Sequence, residues 1–209
     1  MAKKRYFEAA KWYDPLFENV LRGLRMAVVE LVPPREGLRV LDVGCGTGAQ
    51  LAIYKEGGGE VFGIDLSSPM LSIARSKLNG SSVLANGNAI SMPFPDHCFD
   101  LVLSSLFLHQ INPSLRPAVL SEMVRVLQPG GQLILIDFHP QDSRPLKGKL
   151  TYGLISAIEF LAGWDHYNNS RDFLTRGGVS SLAGVVGLKI CRSAVKGNGN
   201  LGIYLIGWA

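Results

Sequence analysis

Nine residues, Val40 to Gly48 (VLDVGCGTG), restrict this chain more than any others. Leu38 to Val43 reads as a short strand with β-branched residues, and a helical stretch begins near Ala49. Between them Gly44, Gly46 and Gly48 stand at every second position. Glycines at such a strand-to-helix turn allow positive φ and let a ligand lie against bare backbone. The amides at the start of the following helix favour anionic groups. The run also fits the loose dinucleotide pattern Gly-x-Gly-x-x-Gly/Ala, so by itself it does not choose among nucleotide-like cofactors.

The rest of the chain repeats the strand-helix alternation. A helix is predicted over 14–32, with Leu16, Val20, Leu24, Ala27 and Leu31 at helical spacing and Pro33-Pro34 as its stop. Further strands are predicted at 61–65, 82–85, 99–104 and 132–138, with helices at 49–56, 69–78 and 114–127 between them. Alternation of this kind implies a parallel, doubly wound sheet. The last third differs. Helices are predicted at 150–161 and 170–186, then two strands, 188–195 and 201–208, joined by Gly197-Asn198-Gly199-Asn200 as a tight hairpin. The expected fold is therefore a Rossmann-like, doubly wound, seven-stranded α/β sheet, mostly parallel, with a C-terminal antiparallel hairpin and helices on both faces. Within one domain, 1–36 would form a helical cap, 37–139 the cofactor-binding core, 140–187 a helical substrate-side segment and 188–209 the hairpin.

Two acids flank the glycine run. Asp65 ends the second strand, 21 residues after Gly44, where a carboxylate can accept from both hydroxyls of a ribose. Asp42 lies inside an apolar strand, and a buried carboxylate needs partners.

These segments together resemble the class I S-adenosylmethionine-dependent methyltransferases. Val40–Gly48 resembles their first motif and Gly63-Ile64-Asp65-Leu66-Ser67 their second. Phe99 to Ser105 resembles the fourth-strand motif, and Arg125 to Gly131 the lead into the fifth strand. The arrangement is similar to the small-molecule branch that includes the ubiquinone and menaquinone methyltransferases, and Trp12-Tyr13-Asp14 ahead of the first motif agrees with it. The resemblance implies S-adenosylmethionine as cofactor and S-adenosylhomocysteine as product. It runs Gly44, Gly46 and Gly48 past the methionine part and ribose, sets Asp65 on the ribose diol and puts Leu66 against the adenine. It adds Asp42, Cys45, Met70, Ala89 and Ser104 to the cofactor site. Asn88 stands where family members often carry Asp, so it would meet the adenine amino group through an uncharged amide oxygen.

Methyl transfer needs no nucleophilic residue, because the cofactor carries the hard step. A general base is needed only where the acceptor must lose a proton. His109 and His139 each follow the carboxyl end of a strand and are the candidate bases. Tyr13, His166 and Tyr167 are the candidate acceptor-side residues, and 150–164 could supply an apolar wall. The four histidines show no paired spacing, so no metal site is expected.

Composition bounds the alternatives. Apolar residues are 47% of the 209, and charged residues 18%, below the roughly 25% of ordinary domains. The net charge of +4 and the lone basic run Lys3-Lys4-Arg5 do not make a nucleic-acid surface. After the fourth strand, Ser104-Ser105-Leu106-Phe107 differs from the Asn/Asp-Pro-Pro-aromatic run of nucleic-acid amino methyltransferases. Three scattered cysteines suit a reducing cytoplasm. The 15-residue apolar stretch Leu150–Trp164 is short for a membrane span and contains Glu159. The expected protein is a cytoplasmic enzyme for a small acceptor, with peripheral membrane contact left open. A nucleic-acid methyltransferase, a nicotinamide-dependent oxidoreductase and a non-catalytic cofactor-binding protein remain the rival readings.

Overall fold

A computed structural model describes residues 21–80, 82–140 and 145–208. The chain enters through α1, helical over 21–31, which buries Leu24 and Val28. It then alternates through β1 (Arg39–Val43), α2 (Ala49–Glu56), β2 (Glu60–Asp65), α3 (Ser68–Lys77), β3 (Val83–Asn86), β4 (Phe99–Ser105), α4 (Arg116–Val126) and β5 (Leu127–Phe138). Three helices follow, α5 (Leu146–Ala162), α6 (Trp164–Thr175) and α7 (Gly178–Val185), and the chain closes with β6 (Leu188–Lys196) and β7 (Leu201–Trp208).

All seven strands lie in one sheet, in the order β3-β2-β1-β4-β5-β7-β6. The first five strands pair in parallel, and β7 runs antiparallel to β5 and β6. Strand order reverses between β1 and β4, which opens a crevice at their carboxyl ends. Helices cover the parallel strands, so β1 and β4 are buried along nearly their whole length. Val40, Leu41, Leu101 and Val102 are fully enclosed, each such side chain contributing about 1.5–3 kcal/mol. Tyr54 on α2 donates its hydroxyl to the Val32 carbonyl at 2.8 Å, tying α1 to the core.

The start of the helix expected over 14–32 lies outside the described residues. Apart from β5, the expected strands and the helices α2, α3 and α4 stand within two residues of their predicted ends. The C-terminal helices do not. Two were expected and three are present, because Gly163, at φ 143°, and the Gly177-Gly178 pair, at φ 91° and 62°, break the chain. The polar helix α6 begins in the gap between the two expected ones and takes the first six residues of the second. Strand β5 also starts earlier than expected. Phe99 pairs with Leu127 and Leu101 next with Gln132, so Pro129-Gly130-Gly131 bulges out of the ladder instead of preceding it. The 197–200 link holds a short 3-10 turn over Gly197–Gly199, with positive φ at three of its four residues.

The amino edge of the sheet is fastened separately. Asp100 accepts from the Arg39 amide at 2.8 Å and from Gln128 Nε2 at 2.5 Å. Arg125 joins Glu122 and Asp96, each at 2.6 Å. A depression of about 410 Å³ at this edge is lined by Pro33, Pro34, Arg35 and Asp100. It lies across the sheet from the glycine run.

Candidate functional site

The carboxyl edge gathers the glycine run, the end of β2, the turn after β3 and the ends of β4 and β5. Gly44, Gly46 and Gly48 all hold positive φ, at 76°, 51° and 71°. A Cβ on Gly44 would sit 2.5 Å from the Phe107 ring, whereas one on Gly46 would meet nothing within 4 Å. Gly44 is thus required by packing, and Gly46 leaves an open cradle of backbone. The Gly44 and Cys45 amides both donate to the Ile64 carbonyl, at 2.9 and 3.2 Å, which binds the loop to β2. Gly63 makes room for this approach, since a Cβ there would lie 2.7 Å from Cys45 Sγ.

Asp65 closes the cradle. Its two carboxylate oxygens accept from the Gly46 and Ser67 amides, each at 2.8 Å. These bonds aim the side chain, and an ionised carboxylate keeps further lone pairs for hydroxyl donors. Asn86 donates to the Asp65 carbonyl at 3.0 Å and accepts from Ser68 at 3.1 Å, a support that sequence reasoning missed. Leu66, one residue on, is 65% exposed, and Asn88 is exposed with its Oδ1 accepting from the Ile90 amide. Met70 and Ala89 are buried close by in sequence, and Ser67 caps α3 through the Met70 amide. Ser104 donates to the Val43 carbonyl at 2.7 Å, fastening β4 to β1 at the crevice.

Asp42 is 3% exposed, and its Oδ1 has no partner. Burial first, then the nearby Asp65 charge, push its carboxyl up to about 8. Both polar atoms of buried Gln50 on α2 are also unpaired. Orphaned buried polar atoms beside an open glycine cradle fit a ligand that brings donors, and a cationic one would suit Asp42 best. Burial likewise pushes the Cys45 thiol up, so it is no nucleophile.

The other half of the edge is built from side chains. His109 lies on a 3-10 turn after β4 (Leu108–Gln110) and is 2% exposed. Its Nδ1 is 2.6 Å from Asp137 Oδ1, its amide donates to Asp137 Oδ2 at 3.2 Å, and its ring stacks on Phe138. Its Nε2 faces Glu159 Oε1 at 3.7 Å, long for a hydrogen bond but close for a charge pair. Glu159 Oε2 in turn faces His166 Nδ1 at 3.3 Å. Burial alone would lower the His109 pKa, but the two carboxylates more than offset it and hold the ring up to about 9. Burial would raise Glu159, and the two histidines instead bring it down to about 2.

Arg116 locks this turn to α6. Its guanidinium, nearly enclosed, donates to the Leu108 and Ile111 carbonyls at 3.1 Å, to Asp172 at 2.7 Å and to the Asn169 carbonyl at 2.6 Å. Asn169 returns a bond to the Gln110 carbonyl at 2.9 Å.

The expected residues therefore divide. Gly44, Cys45, Gly46, Gly48 and Asp65 come together around one cradle, with Asp42 beneath it. His109 is enclosed between carboxylates. His139, half-buried at the end of β5, has its Nδ1 2.7 Å from the Tyr204 hydroxyl. His166 joins the Glu159 pair, while Tyr167 sits in an aromatic cluster with Phe160 and Trp164. Tyr13 lies outside the described residues, as do Trp12 and the other aromatic residues before it. Glu159, Asp137 and Arg116 were not expected. A lone acid in each of two apolar runs was a readable sign for the first two, and Arg116 carried no local sign. Among the described residues no cluster of three or more His, Cys, Asp or Glu could hold a metal ion, and no helix is long and apolar enough to cross a membrane.

Known proteins share this arrangement. Residues 41–135 match the model of the methyltransferase domain family. A demethylmenaquinone methyltransferase of Renibacterium salmoninarum is 33% identical over 157 residues, covering 75% of this chain and 65% of that protein. One from Bacillus licheniformis is 40% identical over 118 residues, 54% of this chain and 50% of its own. The chain thus spans between half and two thirds of the length of these relatives. A methyltransferase of Geobacter sulfurreducens, solved with S-adenosylhomocysteine, shares the fold at a TM-score of 0.62 and 14% identity, over 88% of this chain and 90% of that one. Glycine cradle, acidic strand end, sheet order and these matches agree: residues 41–135 match a methyltransferase domain, and the chain resembles the S-adenosylmethionine-dependent methyltransferases, the demethylmenaquinone methyltransferases among them.

Proposed function

We propose that this protein transfers the methyl group of S-adenosylmethionine to a small, hydrophobic acceptor. The observation that carries the reading is the open cradle at Gly46, bounded by the aimed carboxylate of Asp65 and underlain by the orphaned oxygen of Asp42. Gly44, Gly46 and Gly48 would hold the methionine part and ribose, Asp65 the diol, and Leu66 with Asn88 the adenine. The cationic amino end of the cofactor would satisfy Asp42. When bound, the cofactor supplies a methyl carbon already activated for displacement.

The chain's own task is then to orient the acceptor and exclude water. His109, 2% exposed with its Nδ1 on Asp137, is better placed to order the acceptor side than to serve as the base first expected of it. An imidazole held protonated between two carboxylates has no lone pair to offer, so it acts as a fixed cation that orders the acceptor side. His139 keeps the role of candidate base, oriented by the Tyr204 hydroxyl. Burial, followed by the Asp137 charge, raises that tyrosine to about 12, which keeps it neutral as a hydrogen-bond partner. The names of the relatives above support a quinone- or phenol-like acceptor.

Calorimetry with S-adenosylhomocysteine tests the cofactor site, and heat of binding is expected. A folded sample that binds neither it nor S-adenosylmethionine rejects the reading. Labelled cofactor offered with a panel of hydrophobic and polar acceptors tests the rest, and turnover confined to polar acceptors rejects the acceptor class.

A further inference from the structure

Helix α5 is held at two points along its inward face. The Gly148 carbonyl accepts from the buried Asn200 side chain at 3.0 Å, and Glu159 lies between His109 and His166. These anchors set the rotation of the helix. Leu146, Leu150, Leu154 and Leu161 consequently fall on the outward face, which Trp164 at the start of α6 continues. The intervals of four, four and seven residues among the four leucines of α5 make one helical stripe. Its members are well exposed, Leu161 at 78% and Leu146 at 75%. A continuous apolar stripe of this kind marks an interaction surface.

We propose that this stripe rests on an anionic lipid bilayer, with the leucines in the acyl boundary and the flanking cations among the headgroups.

Charge selects this partner. Glu159 is the only acid of α5, and it is turned inward. Lys147 and Lys149 are exposed at the first turn. At the other end Phe160, Trp164 and Tyr167 cluster with ring centroids 5.9 to 6.1 Å apart, and Arg171 lies over Tyr167 at 5.6 Å. Asp165 is an exposed acid at that end, outnumbered by the cations. Aliphatic residues flanked by lysines and by tryptophan and tyrosine suit a membrane interface. Two copies of the chain joined on this face would concentrate its excess positive charge, whereas anionic headgroups neutralise it. Docked this way, the inward side of α5 and the His109 network lie just above the bilayer, so an apolar acceptor reaches them without crossing water. That consequence rests on the acceptor reading above. The docking itself does not.

Sedimentation of the full chain with unilamellar vesicles tests the proposal without cofactor or acceptor. The protein is expected to pellet with equimolar phosphatidylglycerol and phosphatidylcholine, and much less with phosphatidylcholine alone. The double variant Leu150→Glu/Leu154→Glu should partition at least about tenfold more weakly, since it places charge in the acyl boundary. Its thermal unfolding and S-adenosylhomocysteine binding should be unchanged. Should that variant misfold, Lys147→Glu/Lys149→Glu provides the second reading and should remove the preference for anionic vesicles. The proposal is overturned if the wild-type chain stays in the supernatant, if it binds both vesicle types equally, or if the folded variants bind as the wild type does. A dimer that dissolves on Leu150→Glu/Leu154→Glu, without vesicle binding, assigns the stripe to a second copy and overturns it too.

Discussion

The two halves of the carboxyl edge reach order by different physics. On the β1–β3 side the site is backbone. Three glycines at positive φ, the amides of Gly46 and Ser67, and one strand-end carboxylate define it over a short stretch of chain. On the β4–β5 side the site is a chain of titratable side chains, buried Asp137, His109 and Glu159 followed by half-buried His166, braced by Arg116. Backbone order is cheap, because it uses groups every residue carries. Buried charge is stable only as a complete set, since each ion removed leaves its partner desolvated and unpaired. The first half should therefore tolerate side-chain loss, and the second should fail cooperatively.

Arg116 offers the largest test of that contrast. Its replacement in Arg116→Met leaves Asp172 with Arg176 alone and frees four buried or half-buried carbonyl groups. Denaturant unfolding should show a loss of about 3–5 kcal/mol. Cofactor affinity of the folded fraction should hardly change. An equal loss of affinity would mean that the two halves are one unit.

Titration gives the next effect. His109 is raised to about 9, so its contribution is fully present below its ordinary value of 6.5 and is lost as pH rises through about 9. Glu159, lowered to about 2, contributes above its ordinary 4.5 and loses that only as pH falls through about 2. Stability should be level between those ordinary values and decline by a few kcal/mol on the alkaline side. His109→Gln should flatten the alkaline slope in urea melts followed across pH. A slope that survives the substitution would take the charge network out of the stability of this half.

The smallest expected change falls on the backbone half. Asp65→Ala removes two bonds to amides and the proposed anchor for the ribose diol. Cofactor affinity should weaken by about 1–3 kcal/mol in calorimetry while the melting temperature moves little. Global unfolding instead would show that this half, too, depends on a buried carboxylate.

What was legible follows the same division. The glycine turn, the acid 21 residues on, and the strands β1, β2 and β4 were readable because alternation, glycine φ and capping are local. Ser67 and Pro69 announced α3 in the same way. The helical third was read less well. The first half of polar α6 was missed, and its separation from α7 with it, because what orders it is distant: Arg116 and Gln110 reach its Asp172 and Asn169 across more than fifty residues. His109 was singled out correctly as a residue at a strand end, yet its partner Asp137 is 28 residues away, and only packing reveals a closed pair where an open base was expected.

By itself the sequence determined the Rossmann-like architecture and the glycine turn with its strand-end acid, because each depends on conformational preferences a few residues long. Tertiary structure alone decided that His109 is enclosed between two carboxylates, that Glu159 faces inward from α5 and that a stripe of leucines faces outward. Those outcomes depend on which charges share a low-dielectric space, and no local pattern records that.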